Sequence, residues 1–187
     1  GHGEWFSGDS RVAFGHRRLA IIDLSEGGAQ PMQSADGQVV ITFNGEIYNY
    51  RELRREMEAR GRVFRSGSDT EVLLQLYAEK GEAMLQDLRG MYAFALWDAR
   101  KNALLLARDP FGIKPLYYTP SDGTLRFASQ VKALLAGGQI DTTPEPAGHV
   151  GFFLWGSVPA PFTLYRGIRA LPAGHFMWID EQGAAAP

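Results

Sequence analysis

From Tyr92 to Trp97 the chain reads Tyr-Ala-Phe-Ala-Leu-Trp, an alternation of large and small apolar side chains with no charge on either set. A strand with one wet face alternates apolar with polar, so this segment has to be buried on both faces. It therefore belongs at the centre of a layered structure, covered above and below. A second apolar run, Val39 to Phe43, is rich in β-branched residues and reads as another buried strand, which the turn-forming pair Asn44-Gly45 should end.

Around these two strands the helical signals cluster instead of alternating with strands. Tyr50, Leu53 and Met57 recur at helical spacing among charges, and Gly61 follows as a stop, giving an amphipathic helix over Tyr50 to Arg60. Ser68 with Glu71 three residues on has the form of a capping box, leading a helix with Val72, Leu73, Leu76 and Tyr77 on its apolar face and Gly81 at its end. Glu82 to Leu88 reads as a short third helix.

Strand signals lie before and after this block. Glu4 to Phe6 and Val12 to Phe14 flank a Gly8-Asp9-Ser10 turn; Ala103 to Arg108, Leu116 to Thr119 and Leu125 to Ala128 follow, the last two around Ser121-Asp122-Gly123. Segregated blocks of this kind predict an α+β domain with largely antiparallel sheets and disfavour a doubly wound one. Gln130 to Leu135 reads as a short helix and Gly137 to Pro146 as a linker. The tail, with Phe152 to Trp155, the Pro159-Ala160-Pro161 bend and a strand over Gly174 to Ile179, carries apolar content that needs a partner surface.

Composition narrows the function classes. A net charge of −2 leaves no electrostatic footprint for nucleic acid or an anionic membrane. The apolar runs are far short of the roughly 20 residues of a membrane span, and Gly1 to Ser10 lacks the form of a secretory signal, so the chain reads as cytoplasmic. With 0 cysteines, disulfides, thiolate metal sites and a cysteine nucleophile are excluded within these 187 residues. His2, His16, His149 and His175 show no metal-ligand spacing, and no metal site is expected.

Polar chemistry concentrates beside turns in three places: His16-Arg17-Arg18-Leu19, Asn44-Gly45-Glu46 and Ser68-Asp69-Thr70-Glu71. A guanidinium grips a carboxylate through two parallel hydrogen bonds, and an acid pairs with an ammonium; a free amino acid presents both groups. An Asn side-chain amide beside an unscreened glycine N–H suits the oxyanion of an acyl-transfer intermediate. Singly, each has a structural explanation: a surface pair for the arginines, a turn for Asn-Gly, dipole compensation for Asp69, solvation for Glu46, and a structural hydrogen bond for His16.

Together and in order, these segments resemble the glutamine amidotransferase domain of glutamine-hydrolysing asparagine synthetases. Gly15-His16-Arg17-Arg18-Leu19-Ala20-Ile21-Ile22-Asp23, Phe43-Asn44-Gly45-Glu46-Ile47-Tyr48-Asn49 and Ser68-Asp69-Thr70-Glu71 carry the resemblance. So do Gly90 to Ala95 and Arg108-Asp109-Pro110-Phe111-Gly112-Ile113-Lys114-Pro115-Leu116-Tyr117-Tyr118. Gly156 to Pro161 and Leu171 to His175 are similar to the segment that joins this domain to a synthetase domain.

The resemblance implies an N-terminal-nucleophile hydrolase fold, an αββα sandwich of two mainly antiparallel sheets, incomplete at its N-terminus. It implies a domain over residues 1–148 and a tail over 149–187 that completes it and leads to the synthetase domain. It further implies that Arg18 holds the glutamine α-carboxylate with backbone help from Leu19 to Ile22, that Glu46 and Asp69 hold the α-amino group, and that Asn44 and Gly45 form the oxyanion hole. Arg108 and Asp109 are expected to shape a loop.

No cofactor is expected in this domain; ATP and magnesium belong to the synthetase domain. The expected partners are glutamine and that domain, with self-association left open. The family's first residue is a cysteine whose own amine acts as base, and here Gly1 stands first, so the implied hydrolysis is expected of the parent protein and the chain itself is expected to be inactive. The competing reading is a non-catalytic scaffold of the same fold.

Overall fold

The computed structural model describes residues 1–19, 21–121 and 123–187, with the backbone alone at 120 and 121. Its strands in chain order are β1 (His2–Phe6), β2 (Ala13–Arg17), β3 (Met32–Gln33), β4 (Val39–Ile47), β5 (Gly90–Asp98), β6 (Ala103–Arg108), β7 (Tyr117–Ser121), β8 (Thr124–Ala128), β9 (Arg169–Ala170), β10 (Phe176–Asp180) and β11 (Gly183–Ala184). The helices are α1 (Tyr50–Ala59), α2 (Asp69–Lys80), α3 (Val131–Ala136) and α4 (Pro146–Trp155), and a 3-10 helix (Gly81–Gln86) stands where a third helix is read from the sequence.

A six-stranded sheet runs in the order β11-β10-β6-β5-β4-β3, and every pairing among the described strands is antiparallel. The alternation of β5 sorts its side chains: Tyr92, Phe94 and Leu96 face α1 and α2 and pack with Leu53, Met57, Val72, Leu73 and Leu76. Ala93 and Ala95 face the opposite layer, with Val40, Leu106, Phe14, Leu116 and Leu171. That layer is in two pieces, the β1-β2 hairpin and a three-stranded sheet β8-β7-β9, with α3 against the latter through buried Leu134. The order is helix, sheet, sheet, helix, as the family resemblance implies.

Three local expectations need correction. Asn44-Gly45 does not end β4, which runs on to Ile47 with Asn44 opposite Ala93 and Gly45 opposite Tyr92. The turn propensity of the pair is outweighed by pairing along the whole of β5. The capping box is half formed: the Ser68 hydroxyl accepts from Thr70 N–H at 3.2 Å, but the Glu71 carboxylate turns away and accepts from the N–H groups of Arg65 and Ser66 at 2.8 and 2.7 Å. Gly137 to Pro146 is no free linker either, since Asp141, Thr143 and Glu145 exchange backbone hydrogen bonds with Gly167, Arg166 and Leu164.

The expected turn at Ser121-Asp122-Gly123 includes Asp122, outside the described residues. Phe152 to Trp155 lie in α4, which rests on the rest of the chain through buried Gly148 and Gly151 and leaves Phe153, Leu154 and Trp155 exposed. β9 and β10, from beyond residue 148, pair with β7 and β6. No helix among the described residues is long and apolar enough to cross a membrane.

Candidate functional site

Small residues open a space between the layers. Ala93 and Ala95 of β5 and Gly15 of β2 leave room where larger side chains would meet, and a cavity of about 840 Å³ lies there. Its walls include Arg18, Leu19 and Ile22 after β2, Asn44, Gly45 and Glu46 of β4, and Asp69 at the start of α2. All seven residues singled out from the sequence thus border one space.

The period of two along β4 explains how its polar residues get there. Val40 faces the second layer, and Thr42, Asn44 and Glu46 share its parity and line the cavity. Glycine at 45 is required by close approach: a Cβ there would strike the Met91 carbonyl oxygen and the Tyr92 Cα.

The backbone of β4 offers something more specific. Tyr92 turns both of its backbone groups to Asp109, its N–H donating to the Asp109 carboxylate at 3.2 Å and its carbonyl accepting from Asp109 N–H at 2.8 Å. Gly45, opposite Tyr92, therefore sits in a non-hydrogen-bonded pair and directs its own N–H to the other edge of β4. Beyond the two residues of β3 no described strand pairs with that edge. The N–H of Phe43 is capped by the Gln30 side-chain oxygen at 2.6 Å, and that of Ile47 by the Asp69 carboxylate at 3.1 Å. Between them, the Gly45 N–H has no partner among the described residues.

Arg18 leaves β2 with its backbone paired to Gly1 and its guanidinium turned into the 21–28 segment, donating to the carbonyl oxygens of Ser25, at 3.0 Å, and Asp23. Gly28 makes way for it, since a Cβ there would meet the guanidinium. The Asp23 carboxylate accepts from Ser25 and from Gly67 N–H at 2.8 Å, fastening this loop to the one before α2. The Ser25 hydroxyl and these backbone amides hold Asp23 below the usual carboxylate range. Leu19 is exposed, while Ile22 is half-buried.

Asp69 is buried, and burial pushes its carboxyl up, against the pull of the Ile47 N–H and with nearby Glu46 adding to the rise. His16 bonds the Thr42 hydroxyl at 2.9 Å, joining β2 to β4. Burial and the Arg18 charge hold its pKa below the usual histidine value. Arg108 donates to the carbonyls of Gly112, Lys114 and Leu171, and buried Asp109 accepts from Tyr92, Phe111, Ile113 and Lys114 amides; both shape a loop.

Gln30 and Gly28 escaped the motif reading, and Asp23 and Thr70 stood inside quoted motifs with no role assigned to them. Asp23-Leu24-Ser25 carries a turn signature, which marks Asp23 locally. For Gln30 there is no local signal, because its partners lie 13 and 40 residues away.

Comparison with known proteins gives the family and the fold. The family described as "Glutamine amidotransferase domain" matches residues 1–186. Asparagine synthetase [glutamine-hydrolyzing] 1 of Bacillus subtilis is 44% identical over 175 residues, 94% of this chain and 27% of that protein. Asparagine synthetase B [glutamine-hydrolyzing] of Escherichia coli is 46% identical over 167 residues, 89% of this chain and 25% of that protein. The chain thus spans about a quarter of the length of these relatives. Among solved structures, glutamine phosphoribosylpyrophosphate amidotransferase of B. subtilis superposes with a TM-score of 0.67 at 24% identity over 94% of this chain and 34% of that one, a likeness of fold.

Proposed function

The chain belongs to the glutamine amidotransferase domain family, and on that premise we propose that its inter-layer cavity binds L-glutamine. The observation that carries this reading is the convergence of Arg18, Asn44, Gly45, Glu46 and Asp69 on one space. Arg18 takes the α-carboxylate, with Leu19, Ile21 and Ile22 beside it. Glu46 and Asp69 take the α-ammonium; the cost of keeping Asp69 ionised in a buried place falls when a cation arrives. The carboxamide oxygen then lies toward the Asn44 side chain and the unpaired Gly45 N–H, donors that stabilise negative charge as the carbonyl becomes tetrahedral.

Cleavage of that carboxamide needs a nucleophile. In the reaction proposed for the parent protein a thiol gives up its proton and attacks the amide carbon, that proton passes to the leaving nitrogen, the carbon–nitrogen bond breaks to release ammonia, and water hydrolyses the thioester to glutamate and thiol. The 187 residues contain no cysteine, so the chain binds glutamine without turning it over. In the parent, which we place in the cytoplasm, the ammonia amidates aspartate or a similar carboxylate in a synthetase domain; the names of the relatives favour the synthetase reading, and ATP and magnesium for that domain are carried over from the family resemblance alone. The alternative, a scaffold that has lost catalysis, draws on the missing thiol. It leaves the cavity's polar set without a purpose.

Calorimetry of the purified chain with L- and D-glutamine tests the binding. The L isomer should bind and the D isomer should not, because three-point recognition fixes the α-centre; equal binding of both, or of neither, contradicts the reading. Ammonia release from glutamine by the same preparation should be zero, and turnover would refute the proposed inactivity.

A further inference from the structure

Gln30 lies outside every motif, yet both ends of its side-chain amide are engaged. Its carbonyl oxygen accepts from Phe43 N–H at 2.6 Å and its amide nitrogen donates to the Thr70 hydroxyl at 3.4 Å. Its backbone carbonyl abuts Gly3 of β1 so closely that a Cβ at Gly3 would collide with it. One residue therefore joins the hairpin of the second layer, the open edge of β4 and the first turn of α2, where Thr70 is buried.

The edge of β4 makes the consequence specific. N–H groups on one edge recur every second residue, about 6.8 Å apart, and those of Phe43, Gly45 and Ile47 follow one another there. Gln30 occupies the first and Asp69 the third. A capped neighbour on each side fixes the strand's plane and leaves one donor facing outward.

We propose that Gln30 is a positioning residue for the carbonyl-binding donor: by capping Phe43 it holds β4 so that Gly45 alone presents its N–H to the carboxamide oxygen of the ligand. The Thr70 bond couples that placement to the helix start that reads the ammonium group. This rests on the glutamine reading given above, and the test separates the two.

In the 15N-labelled chain, amide exchange should be about tenfold or more faster at Gly45 than at Phe43 and Ile47, since only the latter two are hydrogen-bonded. A Gly45 amide as protected as its neighbours overturns the proposal whether or not any ligand binds. Glutamine and L-norvaline, which keeps both α-groups and lacks the carboxamide, are then titrated into the unvaried chain and Gln30→Met. The variant should weaken glutamine about five- to tenfold and leave norvaline within about twofold; equal weakening of both ligands, or of neither, overturns it. If Gln30→Met does not fold, Thr70→Val, which spares the Phe43 bond, should weaken glutamine selectively by a smaller factor, and an unselective loss counts against the proposal. Failure of the unvaried chain to bind either ligand contradicts the glutamine reading and leaves the exchange pattern to decide the role of Gln30.

Discussion

The carboxylate of Asp69, in the first turn of α2, accepts the backbone N–H of Ile47 at the end of β4 at 3.1 Å. This bond welds the helix that reads one end of the proposed ligand to the strand that reads the other. It also holds a carboxylate in a place that resists its ionisation.

The cost has a sign that can be measured. Asp69 has a folded pKa raised by burial above its ordinary carboxylate value, so the native state binds its proton more tightly than the unfolded chain. Its contribution to stability is therefore fullest below about pH 4 and is lost as pH rises through the folded pKa. Asp69→Asn keeps an acceptor for Ile47 N–H and cannot ionise. Its melting temperature relative to the unvaried chain should climb between about pH 3.5 and pH 7, while glutamine affinity falls about tenfold. A constant difference in melting temperature across that range would contradict the assignment.

Gly45→Ala places a methyl against the Met91 carbonyl and forces β4 away from β5. We expect a loss of about 2 kcal/mol or more in urea unfolding, with glutamine binding abolished. Unchanged stability would show that the strands have slack at this point.

Asp109 carries four backbone amides on its two oxygens, Phe111 and Ile113 on one, Tyr92 and Lys114 on the other. Burial pushes its carboxyl up, but these amides outweigh that and hold it below the usual range. Asp109→Asn turns an amide NH2 toward two donors, and should cost about 2 to 4 kcal/mol by chemical denaturation. Since Tyr92 sets the direction of Gly45, glutamine binding should weaken as well, even though Asp109 is not among the residues bordering the cavity.

Arg18→Lys is not a conservative change on this account. The guanidinium fork reaches the carbonyls of Asp23 and Ser25 at once, and an ammonium cannot reproduce the fork toward a carboxylate. Calorimetry should show about a tenfold or greater loss of glutamine affinity for Lys and Ala alike; full retention by Lys would remove the bidentate role.

What could be read in advance follows from the range of the forces involved. The two-faced burial of β5, the start of α2 at Asp69 and the amphipathic α1 rest on local periodicity and capping, and the structure bears them out. The seven cavity residues singled out in advance are legible because they lie in or beside short polar segments of the sequence. The fate of Asn44-Gly45 is not legible locally, since a nine-residue pairing with β5 overrides a two-residue turn preference. Gln30 and Asp23 act through side-chain bonds to backbone 13 and 44 residues away, which leave no periodic trace. The half-formed capping box shows the same limit: Glu71 finds better donors in the Arg65-Ser66 loop than the Ser68 N–H that its spacing suggests.

The central claim is that one cavity reads an amino acid at three points, and titrating the 15N-labelled chain with L-glutamine tests it most directly. The account predicts saturable shifts at the Gly45 and Ile47 amides of β4, at the Thr70 amide of α2 and at Arg18, all with one dissociation constant, and none on the exposed face of α4. Shifts confined to α4, or no saturable shift at Gly45, would contradict it.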